Sequence, residues 1–198
     1  MVTDKQSVFE RYAADYDRWF DDHAEVYCAE LRLIQRAVLR GKRMLEVGVG
    51  SGRFAVPLGI EYGLDPSRPL TTMAKARGIG VVLGCAEHLP YRGGSFDNVL
   101  MMTVICFVDN IPSAFQEVCR VLVPSGRLII GFLERDGEIF RHYHSEPEKG
   151  RFLRHARFYT VKEIVRALEN AGFSSVEITA RSRGFCVLTA NRPSTKQE

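Results

Sequence analysis

Aromatic residues open the chain at helical spacing: Phe9, Tyr12, Tyr16, Trp19 and Phe20 recur every three or four positions and predict one buried helix face. Tyr27, Leu31, Ile34 and Val38 repeat the spacing and predict a second helix, which Gly41 ends. At Met44 the period changes. Met44–Val47 is a short strand signal that runs directly into Gly48-Val49-Gly50-Ser51-Gly52. Ile60–Leu64, Val81–Leu83, Asn98–Val108 and Arg127–Leu133 are further runs rich in β-branched or apolar residues, and they read as strands.

Helical patterns fall between these runs. Phe115, Val118 and Leu122 share a face that begins near Pro112 and stops at the turn Pro124-Ser125-Gly126. Thr160 and Glu163 form a capping-box pattern ahead of Ile164, Val165 and Leu168, and Gly172 closes that helix. Near-continuous apolar strands such as Val99–Val108 imply burial on both faces, so the alternation predicts an α/β fold: a mainly parallel sheet with helices on either side. Ser175–Ala180 and Phe185–Ala190 are close enough in sequence to pair antiparallel. Residues 134–158 are expected to be irregular, and a stretch that long is either a cover over the sheet or poorly ordered.

Composition narrows the classes. A chain of 198 residues with 45% hydrophobic and 26% charged residues fits one globular domain able to bury its own core. The net charge of +3 is spread mildly, so no nucleic-acid stripe is expected. No apolar run is long enough for a membrane span, and the opening segment has no apolar stretch for a signal peptide; a cytoplasmic protein without a membrane partner is the expectation. Cys28, Cys85, Cys106, Cys119 and Cys186 are odd in number and widely separated, which argues for reduced thiols over a zinc site or a disulfide framework.

Chemistry is concentrated after the first strand. Open parallel sheets bind ligands at the carboxyl ends of strands where the chain order reverses, and a glycine turn there lets backbone approach a ligand closely. Gly48, Gly50 and Gly52 meet that requirement, although Arg53 stands where a nicotinamide-binding GxGxxG turn needs a small residue. Asp65 ends the second strand signal in Gly63-Leu64-Asp65-Pro66-Ser67, and a carboxylate at that place can accept hydrogen bonds from both hydroxyls of a ribose. A tight structural turn and a capping Asp are the alternatives when each feature is taken alone.

From these residues on, the sequence resembles the class I S-adenosylmethionine-dependent methyltransferases, and among them the type 11 group, over about residues 9–190. The segment from Leu45 to Phe54, LEVGVGSGRF, looks like the group's first motif. Gly63 to Ser67 looks like its second, and Gly84 to Asp97, GCAEHLPYRGGSFD, like its third. AFQEVCRVLVPSGRLII, from Ala114 to Ile130, is similar to its helix, turn and strand. The resemblance implies a Rossmann-like three-layer sandwich whose seven-stranded, mostly parallel sheet has its last strand antiparallel. One methyltransferase domain would span residues 1–198, with N-terminal helices over 1–40 and an acceptor-site cover over 134–158. The implied cofactor is S-adenosyl-L-methionine. Glu46 and the Gly48–Gly52 backbone would face its methionyl part, Asp65 with Pro66 its ribose, and Ala86 and Glu87 its adenine. Tyr16 and the segment from Thr103 to Ile105 would border the sulfonium. In two places the chain departs from the group: Cys85 replaces the usual acidic or amide partner of the adenine amino group, and few residues separate Gly48 from Asp65, so the intervening helix must be short, limited by Pro57 and Gly59.

A sulfonium carries an already activated methyl group, so alignment of two reactants, worth ~7–11 kcal/mol, outweighs what a general base adds. No catalytic base is therefore assigned. Thr103-Val104-Ile105-Cys106-Phe107 lacks the Asn/Asp-Pro-Pro-aromatic segment of amino-group methylases acting on nucleic acids or glutamine. Cys106 has no preceding Pro and reads as a small apolar thiol. His142, His144 and His88 read as solvated residues, and Arg151, Arg154 and Arg157 as a solvated helical face. Methyl transfer to a small polar molecule is the leading expectation. A non-catalytic sensor of an adenosyl ligand and a nicotinamide-dependent oxidoreductase are the alternatives.

Overall fold

The computed structural model describes residues 4–38, 43–145 and 150–194. Gly41, the expected stop of the second helix, lies outside them. Seven strands form one sheet: β1 (Met44–Val47), β2 (Tyr62–Asp65), β3 (Gly80–Leu83), β4 (Phe96–Met102), β5 (Leu122–Leu133), β6 (Ser174–Ser182) and β7 (Phe185–Asn191). Their order is β3-β2-β1-β4-β5-β7-β6. Only β7 runs against its neighbours, pairing antiparallel with both β5 and β6. A two-residue turn, Arg183-Gly184, joins β6 to β7; both residues have positive φ (50° and 88°), the geometry that matches a hairpin's twist.

Alternation along the strands divides the core into two layers. Leu45, Val47, Val99 and Met101 face one way and pack with Phe115, Val118 and Leu168 of α6 (Ile111–Val121) and α8 (Val161–Asn170). Met44, Leu100, Met102 and Ile129 face the other way and meet Phe20, Ile34 and Phe54. That second layer is built from α2 (Ala13–Asp22), α3 (Ala24–Gln35), the short α4 (Ala55–Leu58) and α5 (Arg68–Ala76), with α1 (Asp4–Arg11) ahead of them. Helix α4 is a single turn, closed by Gly59 at φ 70°. Chain order reverses between β1 and β4, which places a crevice at their carboxyl ends.

The structure corrects several boundaries. The fourth strand ends at Met102, not Val108, because Thr103 takes a left-handed φ of 50° and the chain turns, with Phe107 N donating to Val104 O (2.9 Å). Leu122 belongs to β5 and not to α6: it is extended and pairs with Phe96, and Pro124-Ser125-Gly126 lies inside the strand, Ser125 taking φ 61°. The first aromatic helix is interrupted at Tyr12, whose ψ of 32° separates α1 from α2. The described residues within 134–158 are more regular than their composition predicts, holding α7 (Glu138–Ser145) and a 3-10 turn at Leu153–His155. Arg151, Arg154 and Arg157 do not share a helical face. Arg151 instead lies over the Tyr12 ring, 3.8 Å from its centroid, and pairs with Asp15 at 2.6 Å. The capping box of α8 is complete: Glu163 N donates to Thr160 Oγ1 (3.3 Å) and Thr160 N to Glu163 Oε2 (2.7 Å).

Candidate active site

The turn after β1 is fastened to β2 by two amides, Gly48 N and Val49 N, which both donate to Leu64 O (2.7 and 3.0 Å). It cannot carry side chains at its first and last glycines. A Cβ on Gly48 would stand 2.3 Å from Val104 Cγ2, and one on Gly52 2.4 Å from Ile79 Cδ1, both at positive φ. Asp65, 7% exposed at the end of β2, accepts from Gly50 N through Oδ2 and from Ser67 N through Oδ1, each at 2.9 Å. Burial pushes its pKa up to about 6, against the pull of those two amides. Each oxygen keeps acceptor capacity for one further donor.

Two more polar groups converge on this floor. Glu46, on β1, is 2% exposed; burial first, then the Asp65 charge, raise its pKa well above the carboxylate range, while the Ala55 amide draws it down. Among the described residues its Oε2 and the hydroxyl of buried Ser67 have no hydrogen-bond partner. Buried polar atoms left open call for an explanation, and a polar ligand at the floor supplies one for Ser67, which lines the cavity.

The roof is aromatic. Phe9 meets Tyr16 (5.3 Å between centroids), Phe107 (5.0 Å) and Phe152 (5.2 Å, stacked), and Tyr16 also meets Phe152 (5.4 Å). Tyr16 stands over the glycine turn, its ring 3.3 Å from where a Gly50 Cβ would be. Desolvation, with Asp65 and Glu46 nearby, drives its pKa far above the usual phenol value, so the hydroxyl stays protonated. Between floor and roof is a cavity of about 80 Å3, with Thr103 and Val104 as its third wall.

Of the residues expected at the site, Tyr16, Gly48, Gly50, Asp65, Pro66 and Thr103 line this cavity together. Glu46 does not line the cavity; it is buried on β1, close enough to Asp65 and Tyr16 for their charges to interact. Gly52 packs against α5 and the Ile79 side chain. Beyond β3, Ala86 is buried, while Cys85 is exposed with its Sγ 4.0 Å from His88 Nδ1. Glu87 Oε1 accepts from the amides of Asp109 (3.0 Å) and Asn110 (3.1 Å), so its carboxylate braces the loop before α6. Cys106 is buried and donates to Thr103 O (3.3 Å). His142 is exposed on α7, and the side chain of His144 lies outside what the structure describes.

Sequence reasoning missed an ionic cluster at the back of the turn. The Asp17 carboxylate accepts from Ser51 Oγ (2.5 Å), from Arg53 Nε and Nη2 (2.8 and 2.9 Å) and from Arg77 Nη1 and Nη2 (2.8 and 2.7 Å). Arg53 also pairs with Asp21 at 2.7 Å, and Arg77 Nη1 donates to Ser51 O (2.6 Å). These partners hold Asp17 well below the carboxylate range. Arg53 carried the only sequence signal, as the large residue where a nicotinamide turn needs a small one.

Glycine turn, buried strand-end carboxylate and switch-point cavity together define an α/β protein with a ligand site at the carboxyl ends of β1 and β2. A family profile described as a methyltransferase domain matches residues 45–130. A malonyl-[acyl-carrier protein] O-methyltransferase of Geobacter sulfurreducens is 32% identical over 87% of this chain and 71% of its own length. An uncharacterized protein of Methanocaldococcus jannaschii is 37% identical over 87% of this chain and 84% of its own. The crystal structure of a Thermotoga maritima S-adenosylmethionine-dependent methyltransferase, described as a possible histamine N-methyltransferase, superposes with TM-score 0.86 at 35% identity, covering 94% of this chain and 99% of that one. The chain belongs to the class I S-adenosylmethionine-dependent methyltransferases, type 11 group. The floor fits that cofactor: Asp65 offers two acceptors at a strand end, and Glu46 and Ser67 offer unpartnered polar atoms beside it.

Proposed function

We propose that this methyltransferase acts on a small molecule whose reacting atom is presented to the sulfonium from beneath the aromatic roof. One observation carries the reading: Phe9, Tyr16, Phe107 and Phe152 interlock with centroids 5.0–5.4 Å apart, so the side of the cavity where an acceptor would approach is walled by ring faces. Arg151, next to Phe152, is taken up by the Tyr12 ring and the Asp15 carboxylate. Recognition of the acceptor then rests on ring faces, with a polar reacting atom carried on a flat or apolar body.

S-adenosylmethionine supplies the activated methyl group. The chain's own part is to align and to exclude water. Asp65 holds the ribose end through its free acceptor positions, Glu46 and Ser67 meet the polar atoms near the turn, and the rings keep the acceptor in line. Tyr16, protonated at all ordinary pH, serves as a donor and not as a base. The arrangement therefore works by proximity.

Purified protein given tritium-labelled S-adenosylmethionine and a cell extract, split by ultrafiltration into filtrate and retentate, tests the reading. Label transferred to filtrate compounds supports it, as does release of S-adenosylhomocysteine with histamine as a probe amine. Label found only on retained macromolecules, including an acyl-carrier protein, overturns it.

A further inference from the structure

The cofactor site is furnished unevenly. At the ribose end Asp65 holds out two acceptors, and the Ser67 hydroxyl, 1% exposed and without a partner among the described residues, lines the cavity. The place expected for the adenine adjoins it: Asp65 pairs with Leu83 and Gly84 N donates to Asp65 O (3.1 Å), so the segment leaving β3 runs beside the ribose carboxylate. That segment offers a base apolar contact and few free polar groups. Ala86 and Leu89 are buried. Glu87 Oε1 is taken by the amides of Asp109 and Asn110, and Leu89 N donates to Glu117 Oε2 (2.7 Å). Cys85 O accepts from His88 N (3.3 Å). The Cys85 side chain is exposed, and its Sγ, 4.0 Å from His88 Nδ1, is a weak acceptor. A thiol therefore stands where a carboxylate or an amide oxygen would be needed to hold the N–H donors of an adenine amino group.

We infer that this methyltransferase does not read the exocyclic amino group of its cofactor's adenine, that residue 85 is the position that sets this, and that adenosyl-type ligands whose purine lacks the group bind as well as those that carry it. The inference rests on the cofactor assignment and on the expected place of the adenine; it does not depend on the methyl acceptor. Its basis is an asymmetry in hydrogen-bond energetics. A buried acceptor built to meet an N–H is left unpaired by a ligand without one, and so rejects that ligand strongly. An exposed thiol leaves the amino group in water before and after binding, so removal of the group changes little. Recognition of the base then comes from apolar contact with the ring, which every purine provides.

The test is calorimetric titration with S-adenosylhomocysteine and with its deaminated purine counterpart, which keeps every ring nitrogen and loses only the amino group. The unaltered protein should bind the two within about threefold of each other. Cys85→Ala should leave that ratio as it is, because the thiol contributes no bond to the base. Cys85→Asp should come to prefer S-adenosylhomocysteine by about tenfold or more, the effect of offering a charged acceptor to an N–H donor. Should the aspartate variant fail to fold, Cys85→Asn offers an amide oxygen at the same place, with a preference of about fivefold expected. A larger preference than threefold in the unaltered protein would overturn the inference. If Cys85→Ala abolished that preference, the thiol reads the amino group; if it did not, another acceptor such as Glu87 Oε2 does. Absence of any new preference in the folded aspartate or asparagine variant would show that residue 85 stands away from the amino group, and would overturn its assignment. Binding of neither ligand by the unaltered protein would instead take the cofactor out of this cavity, and the inference would fall with that assignment.

Discussion

Asp65→Asn separates what this carboxylate costs the fold from what it gives the site. In the folded protein its pKa is about 6, against an ordinary 3.8. A shift of that size is worth about 3 kcal/mol. The folded value is the higher one, so the native state binds the proton more tightly than the unfolded chain. Stability therefore falls as pH rises through the window from 3.8 to about 6, and the full cost is present above it. Asparagine has no proton to lose and escapes that cost. It also has only one acceptor, so either Gly50 N or Ser67 N loses its partner, a loss of about 1.5–3 kcal/mol for a bond to a charged group. Near pH 4 the folded Asp65 is protonated and the lost bond is a neutral one, so the variant should be less stable than the parent by about 0.5–1.5 kcal/mol there; near pH 8 loss of the charged bond and escape from the desolvation cost nearly cancel, and the two should be close. Loss of the negative charge also eases the strain on Glu46, in the same direction. Urea unfolding of the ligand-free proteins at both pH values, followed by circular dichroism, measures the difference. At the higher pH the variant should bind S-adenosylhomocysteine about tenfold more weakly or worse, because two ribose contacts lose their charged acceptor. A stability difference that did not change with pH would refute the desolvation described for Asp65. Unaltered ligand affinity would remove the residue from the ribose site.

Gly52→Ala should cost about 1–3 kcal/mol in thermal unfolding, because φ is 89° there and the new methyl meets Ile79 Cδ1; an unchanged midpoint would show that the turn yields. Thr103→Asn should gain about 1 kcal/mol, since a β-branched residue is strained at φ 50° and asparagine tolerates it. Equal or lower stability in a urea titration would show that the threonine is held without strain. Thr160→Ala should lose about 1 kcal/mol with cofactor binding unchanged, since the capping box serves only the start of α8; calorimetric unfolding and ligand titration together check both halves.

Much of the floor was legible because it is local. A glycine turn, a strand-end Asp and a capping box each satisfy a geometric need within a few residues, so residue type and spacing suffice to find them. Strand ends were less legible. The apolar run from Val99 to Val108 continues past the sheet because Val104 and Ile105 remain buried or half-buried beside the turn, and composition does not record that Thr103 changes direction. Leu122 likewise has the residue type and spacing of a helix face, yet its pairing with Phe96 outweighs helix continuation. The roof and the Asp17 cluster were invisible for another reason. The roof joins Phe9 to Phe107 and Phe152, and the cluster joins residues 34, 36 and 60 positions apart; charge on an aromatic helix reads as solvent-facing until the fold brings two arginines beneath it.

The aromatic roof has a consequence for how the protein is made. Its contacts join Phe9 to Phe152 and Asp15 to Arg151, whereas the glycine turn, Asp65 and Thr103 all lie within residues 48–103. During synthesis from the N-terminus the ribose end of the site can assemble around β1, β2 and β4 while the second half of the chain is still absent. The first helices can dock through Phe20 and Asp17 within that half, but the Phe9 and Tyr16 rings gain their last partner only when Phe152 has been made and placed. Long-range closure of that kind is slow compared with the local turns. The glycine turn and Asp65 can thus be in place before the ring cluster is complete, and apolar ring surface stays uncovered in the interval between the two.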